Sequence, residues 1–270
     1  MNKIYFLVDN IKTKGFESDK AFSLYIERKN QKDILFDSGR TSLFLENAKK
    51  LNLSISNIND IILSHGHYDH SDGLRFIDTD LKKRNLIACS EIFTKRYRKK
   101  DNSYLGMALC EAYIKDNFNL ILKNTPYFLD DNLCFLGHIK RYNDFEAKET
   151  DFILQNNEDD FVIDDSAIVF RGQNGLVIIA GCSHSGICNI IEYSKEIMNE
   201  SKIDIVLGGF HLHHIDSKLQ KTIDYLNNQD INKIYISHCT KDIAYDYLNK
   251  HLNIKNYRTK VSDVVEFLEK

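Results

Sequence analysis

The 270-residue sequence is poor in the residues that dominate linkers and fibrous repeats, since it has one proline and twelve glycines. This scarcity excludes a collagen-like or linker-rich chain. Its six cysteines form no Cys-x-x-Cys pair, which argues against a disulfide framework and fits a reducing compartment. With a formal net charge of −3, the chain offers no basic surface for nucleic acid or for an anionic membrane.

Long hydrophobic runs are also missing. The apolar run near the N-terminus covers residues 4–8, whereas a secretory signal needs about 7–15 apolar residues and a membrane span about 20. We therefore expect a cytoplasmic protein with no membrane anchor and no nucleic-acid partner. The composition, 43% hydrophobic and 28% charged, is that of a folded globule with enough apolar material for a large core.

The hydrophobic pattern predicts an α/β fold in one domain, residues 1–270, with a helical or irregular insertion around residues 91–150. The predicted strands are residues 3–8, 22–27, 32–36, 60–64, 167–171, 176–180, 204–207 and 233–237. The predicted helices are residues 41–51, 107–115, 187–199, 217–228 and 262–269. Each strand from 176 onwards ends in a short loop carrying His or Cys, and ligands of α/β sheets gather at the carboxyl ends of strands.

The most informative segment is His65-Gly66-His67-Tyr68-Asp69-His70, which directly follows an apolar strand. In an extended chain, residues two apart project to the same side, so His65 and His67 can converge on one cation. Gly66 permits a close backbone approach between them. Asp69 and His70 follow the turn and can face a second cation. Imidazole and carboxylate ligands suit zinc, iron or manganese.

This His-x-His-x-Asp-His motif resembles that of the metallo-β-lactamase superfamily. The resemblance extends to Leu-Phe-Asp-Ser-Gly at residues 35–39, where it implies that Asp37 supports the ligand loops from behind. Residues 181–186, 208–212 and 237–240 are similar to a branch labelled dihydropterin-linked ribofuranosylaminobenzene phosphate synthase, whose members are metal-dependent hydrolases. The implied fold is a four-layer αβ/βα sandwich, with two mixed β-sheets face to face and helices on the outer faces.

Four further residues follow from the strand ends and from the resemblance. His184 lies where a helix begins, and a helix N-terminus favours the neutral imidazole that binds metal. His238 matches the last metal-binding histidine of the superfamily. Cys182 stands where many members carry a bridging aspartate; it could ligate as a thiolate or be a small buried side chain, and both interpretations stay open. His211 is expected to contact substrate or donate a proton, with His213 and His214 beside it exposed.

These residues predict a hydrolase with two divalent cations, zinc first and manganese or iron as alternatives. The cations would activate water against an ester, phosphoester or lactone bond of a small molecule, with Asp69 orienting the nucleophile. The basic run at residues 95–100 has two interpretations: a solvated surface segment, or an electropositive lid in which Arg96 and Arg98 contact an anionic substrate.

Three other functions remain open at this point. The strand-to-helix turn around Cys182 could hold a nucleophilic thiol, although it does not fit the Gly-x-Ser-x-Gly elbow. The histidine cluster could carry redox-active iron, although no Gly-rich phosphate loop for a flavin is present. It could also stabilise a binding module that has no catalytic activity.

Overall fold

The computed structural model describes residues 1–79 and 83–270, which form sixteen strands and six α-helices. The strands are β1 (Asn2–Val8), β2 (Ser23–Glu27), β3 (Asp33–Phe36), β4 (Ile58–Ile62), β5 (Asn85–Ala88), β6 (Arg96–Arg98), β7 (Asn119–Leu122), β8 (Tyr127–Phe128), β9 (Leu133–Phe135), β10 (Phe152–Leu154), β11 (Ala167–Gly172), β12 (Gly175–Ala180), β13 (Ile203–Gly208), β14 (Ile231–Ile236), β15 (Lys255–Arg258) and β16 (Val264–Phe267). The helices are α1 (Leu43–Lys50), α2 (Tyr68–Ser71), α3 (Glu111–Asn117), α4 (Ile187–Met198), α5 (Ser217–Asn227) and α6 (Asp242–His251).

Fourteen of these strands build two seven-stranded mixed sheets. The first sheet has the order β16-β1-β2-β3-β4-β5-β7, and the second has the order β15-β14-β13-β12-β11-β9-β8. Within them, β3-β4-β5-β7 and β12-β13-β14-β15 run parallel, while the remaining pairs are antiparallel. Strands β6 and β10 form a separate two-stranded ribbon. None of the helices in the described part of the chain has the length and apolar character needed to cross a membrane.

Three apolar layers hold the sheets and helices together. The layer between the two sheets includes Phe6, Phe22, Phe36, Ile62, Phe135, Phe170, Val177, Ile179 and Leu207. The layer outside the first sheet includes Leu7, Leu35, Phe44, Ala48, Ile61, Ile114 and Phe118. The layer outside the second sheet includes Ile178, Ile187, Ile191, Val206, Leu219, Ile223, Ala244 and Leu248. Three buried interfaces separate four layers, so the predicted αβ/βα sandwich is confirmed.

Strand β12 shows how the sequence produces this arrangement. Its residues Gly-Leu-Val-Ile-Ile-Ala are all buried, because successive side chains point to opposite faces and both faces are covered. Val177 and Ile179 enter the layer between the sheets, whereas Leu176 and Ile178 pack under the helices. A central strand covered on both faces therefore has an unbroken apolar sequence.

The predicted helix at residues 262–269 is wrong, because this segment contains strand β16, paired antiparallel with β1. Its burial alternates, with Val265 and Phe267 facing inward and Val264 and Glu266 exposed. That period of two is the signature of a half-buried strand, and it outweighs any local helix preference. The helix predicted at residues 107–115 begins later, at Glu111.

The segment predicted as an insertion, residues 91–150, contributes to all three sheets. It supplies β7 to the first sheet, β8 and β9 to the second, and β6 to the ribbon. The assignment of residues 1–270 to a single domain stays a prediction.

The basic run at residues 95–100 does not form the electropositive lid considered above. Arg96 is 1% exposed, and its guanidinium pairs with two buried carboxylates, Asp164 at 2.7 Å and Asp160 at 3.2 Å. Arg98 pairs with Asp101 on the surface, at 3.2 Å. Since the guanidinium of Arg96 is buried and paired with two carboxylates, it cannot contact a substrate. The run is a surface strand anchored by one buried arginine.

We expect Arg96→Ala to lower the free energy of unfolding by about 3–5 kcal/mol, because Asp160 and Asp164 would stay buried without their counter-ion. Arg98→Ala is the matched control in the same strand, and removing an exposed pair should change stability by less than about 1 kcal/mol. Urea titration of both variants measures the difference. Equal, small effects would contradict the structural role of Arg96.

Candidate metal centre

Six imidazoles and one thiol meet where the parallel strands of both sheets end. The residues are His65, His67, His70, Cys182, His184, His211 and His238. The ring centroid of His65 lies 4.2 Å from that of His70 and 4.8 Å from that of His184. The rings of His70 and His238 are 5.0 Å apart. Loops that follow β4, β12, β13 and β14 therefore bring distant parts of the sequence into one cluster.

Two sets of potential ligand atoms share Cys182. His65, Cys182 and His184 form one set, and His70, Cys182 and His238 form the other, with the ligand atoms of each set within 4.8 Å of one another. His70 Nε2 lies 3.2 Å from the Cys182 sulfur. Cys182 thus lies where the two sets meet.

His67 and Asp69 lie beside these sets. His67 Nδ1 is 2.9 Å from His65 Nε2, and Asp69 Oδ2 is 3.5 Å from His238 Nε2. The Nε2 atoms of His67 and His184 are buried and have no hydrogen-bond partner among the described residues. A buried polar atom without a partner costs about 1–3 kcal/mol, and a cation bound by its lone pair would remove that cost. The donor set therefore fits a metal ion.

Burial controls the charge of the cluster. It lowers the pKa of His65, His67, His184 and His211 well below the usual value, so these imidazoles are neutral, as metal ligands must be. Burial also opposes protonation of His238, but the hydrogen bond to Asp69 and the nearby Cys239 and Asp69 charges raise the pKa of His238 to about 9. A cation bound by His238 would therefore have to displace a proton.

The thiol of Cys182 is shielded from solvent. Burial, followed by the hydrogen bond with Cys239, raises the pKa of Cys182 well above the usual value. A buried protonated thiol is a poor nucleophile, whereas a metal ion can bind it as the thiolate. This environment favours a ligand over a covalent catalyst.

The loop that follows β4 is held by two buried aspartates. Asp37 accepts hydrogen bonds from the backbone N–H of Ser64 at 2.7 Å and from Nδ1 of His70 at 2.7 Å. Asp164 accepts from the backbone N–H of Gly66 at 2.8 Å, while its other oxygen binds Arg96. These contacts are the geometric basis for the supporting role of Asp37, which stays a prediction. The buried Arg96 thus reaches the histidine loop through one carboxylate.

Two more buried aspartates hold the loops after β12 and β14. Asp165 accepts from the backbone N–H of Ser185 at 2.9 Å and also from its hydroxyl. Asp9 accepts from the backbone N–H of His238 at 3.0 Å, and Asn10 Oδ1 lies 3.1 Å from His238 Nδ1. Sequence reasoning assigned no role to Asp9 or Asn10; their position at the end of β1 was the available signal.

Several residues of these loops have left-handed backbone angles, which residues other than glycine rarely adopt. The φ angles are +56° at Asp37, +56° at Ser183, +47° at His211 and +44° at His238. Each such residue costs about 1–3 kcal/mol and persists only when its surroundings fix it, a pattern that concentrates at functional sites.

A cavity of ≈ 280 Å³ opens beside the cluster, and His184 and His211 form part of its wall. Phe152, from strand β10, covers this side of the site, with its ring centroid 4.9 Å from that of His67 and 5.3 Å from that of His184. No sequence signal identified Phe152. His213 was expected to be exposed, but it is half-buried, lines the cavity and lies 4.4 Å from the His211 ring.

Comparison with known proteins places this site in a family. The chain is 36% identical over 258 residues to an uncharacterized protein of Methanocaldococcus jannaschii, covering 94% of this chain and 95% of the relative. It is also 32% identical over 256 residues to the 7,8-dihydropterin-6-methyl-4-(beta-D-ribofuranosyl)-aminobenzene-5'-phosphate synthase of the same organism, covering 88% and 87%.

Solved structures agree with these sequence matches. A metal-dependent hydrolase of the β-lactamase superfamily is 27% identical and superimposes with a TM-score of 0.87 over the full length of both chains. A diphosphatase from the PhnP family shares the fold, with a TM-score of 0.57 at 15% identity over 100% of this chain and 99% of the other. The family model of the metallo-β-lactamase superfamily matches residues 19–100, which include the histidine motif. The chain belongs to the metallo-β-lactamase superfamily, an enzyme fold that typically binds metal ions.

Proposed function

We propose that the protein is a metal-dependent hydrolase that uses two divalent cations to cleave an ester, phosphoester or lactone bond of a small-molecule substrate. The observation that carries this proposal is the pair of ligand sets that share Cys182, buried except for the half-buried His184 and located beside a cavity. The structural relative with the TM-score of 0.87 bears the name of a metal-dependent hydrolase, which supports the same class of reaction.

The residues divide between two cations by their positions. His65, His67 and His184 would hold one cation, and Asp69, His70 and His238 the other. The Cys182 thiolate would lie between them. We propose zinc rather than manganese or iron, because zinc combines readily with imidazole and thiolate ligands.

When bound, such cations polarise the scissile oxygen and lower the pKa of water to about 7, which permits hydrolysis at neutral pH. The side chains supply positioning and proton transfer. Asp69, beside His238, offers a carboxylate oxygen that can orient the attacking water. His211, on the cavity wall, presents a neutral imidazole that can donate a hydrogen bond to the substrate. Phe152 limits the access of bulk water to the histidines.

Replacing His67 and His70 together by alanine should abolish metal binding and hydrolysis, because each cation loses a ligand. The matched control is His251→Ala at the end of α6, where Nδ1 contacts the Tyr247 carbonyl at 2.8 Å and the ring stacks on that of Tyr247. Elemental analysis, combined with a screen of phosphodiesters, phosphomonoesters and lactones, measures both properties. Full activity in the metal-free double variant would refute the proposal.

Substitutions of Cys182 separate a metal ligand from a nucleophile. Cys182→Asp supplies a carboxylate that can also bridge cations, so it should retain metal and measurable activity, whereas Cys182→Ala should lose part of its metal. A nucleophilic thiol predicts the opposite pattern, with both variants inactive and fully loaded with metal. Metal content and turnover of the two variants decide between these roles.

The support given by Asp37 is testable through metal affinity. In Asp37→Asn, one carboxylate oxygen is replaced by an amide nitrogen, which donates hydrogen bonds. The side chain can then no longer accept from both Ser64 and His70, so the affinity for metal should fall about 10–100-fold. Asp60→Asn in β4 is the control, because its carboxylate contacts the amides of Asn59 and Asn85 instead. Competition with a chromogenic chelator gives both affinities, and equal values for the two variants would contradict the role of Asp37.

A further inference from the structure

His238 is held by a side chain from a distant part of the sequence, that of Asn10, which follows strand β1. The side-chain amide of Asn10 contacts His238 twice. Its Nδ2 donates a hydrogen bond to the His238 carbonyl at 2.8 Å, and its Oδ1 lies 3.1 Å from Nδ1 of the His238 ring. One side chain therefore holds both the backbone and the imidazole of a candidate metal ligand.

These two contacts decide which nitrogen of His238 keeps its proton. A carbonyl oxygen only accepts hydrogen bonds, so the Asn10 atom that faces the His238 carbonyl must be the amide nitrogen. The other atom is then Oδ1, which also only accepts, so Nδ1 of His238 must be the donor. The nitrogen that is free to bind a cation, once its own proton is displaced, is consequently Nε2.

The Nε2 edge of the ring faces the metal centre, since Nε2 lies 3.5 Å from Oδ2 of Asp69. The buried Phe22 ring packs on the imidazole, with the ring centroids 5.8 Å apart and the planes inclined by 33°. Packing alone does not distinguish two imidazole orientations that differ by a half-turn, because both have the same shape. In the flipped orientation, Asn10 Oδ1 would face a C–H group and another C–H group would replace Nε2. The hydrogen bond from Nδ1 therefore selects the observed orientation.

The other histidine proposed for the same cation is held in a similar way. Nδ1 of His70 contacts Asp37 at 2.7 Å, which leaves Nε2 of His70 near the Cys182 sulfur. Histidines that bind metal almost always donate their second N–H to an acceptor, and this contact fixes the ring and its tautomer. For His70 the acceptor is a buried carboxylate, whereas for His238 it belongs to an exposed residue. Because Asn10 is exposed, its replacement leaves the apolar core intact.

We propose that Asn10 is a positioning residue of the metal centre: it fixes the His238 ring with a proton on Nδ1 and so presents Nε2 to the cation shared with His70. The proposal rests on the proposed function, because it assumes that this cation binds. It assigns to the loop after β1 a contribution to metal affinity, although this loop is remote in sequence from the histidine motif.

Two variants of Asn10 separate positioning of the ring from support of the backbone. Asn10→Leu removes both hydrogen bonds, whereas Asn10→Asp keeps an acceptor for Nδ1 and loses only the donor to the carbonyl. We expect Asn10→Leu to weaken the binding of one of two zinc ions about tenfold, and Asn10→Asp to retain the affinity of the unmodified protein. Equal losses of affinity in both variants would show that only the backbone contact matters, and would refute positioning of the ring.

Asn228→Leu is the matched control. Asn228 is also exposed, and its amide also donates to a backbone carbonyl, that of Asp224 at 2.7 Å. This variant should bind zinc as the unmodified protein does. Competition with a chromogenic chelator measures the affinities of all three variants. If Asn10→Leu binds zinc as tightly as this control, the proposal is overturned.

A spectroscopic measurement keeps the proposal separate from the test of hydrolysis. In zinc-loaded protein with isotope-labelled histidine, NMR shows which nitrogen of His238 carries a proton, and the spectrum of His238→Gln assigns its signals. We expect a proton on Nδ1 and zinc on Nε2, with faster solvent exchange of the Nδ1 proton in Asn10→Leu than in Asn10→Asp. Zinc on Nδ1 would overturn the proposal. If a protein with the expected pattern cleaves none of the screened substrates, hydrolysis fails and the positioning role stands.

Discussion

The site depends on buried carboxylates that hold the backbone of the histidine loops. Asp9, Asp37, Asp164 and Asp165 each accept a hydrogen bond from an amide of a loop that carries candidate ligands. Six imidazoles crowded into one buried cluster do not attract one another, and loops without regular structure cannot fix them. Because a buried carboxylate must find donors, each aspartate prefers one loop conformation, and that preference positions the imidazoles before any ligand arrives.

The four-layer fold makes this arrangement possible. Parallel strands of two facing sheets end at the same edge, so loops from both sheets can share one site. The apolar layer between the sheets fixes their separation, and the outer helices shield their other faces. The strained backbone at Ser183, His211 and His238 is maintained by this rigid support. Stability of the sheets thus compensates for irregular loops at their edge.

The sequence allowed accurate prediction where one physical signal dominates. Apolar runs such as residues 176–180 predicted the central strands, and the spacing of His65, His67 and His70 predicted the histidine loop that follows β4. Prediction from the sequence failed where the local signal was weak or ambiguous. Residues 262–269 show no alternation in hydrophobicity, because Val264 and Leu268 are apolar yet exposed, and the alternating burial of β16 appears only when it pairs with β1. Phe152 lies in a three-residue strand that is too short for any pattern.

The sequence alone determined the types of candidate ligand and the family to which the chain belongs. The reason is that the His-x-His-x-Asp-His motif contains its imidazole and carboxylate groups within six residues. The partners of each charge were decided only by the tertiary structure. Arg96 and Arg98 are two residues apart in one strand, yet the first is buried between Asp160 and Asp164 and the second pairs with Asp101 on the surface. The carboxylates that pair with Arg96 are distant from it along the chain, so no local sequence pattern can identify them.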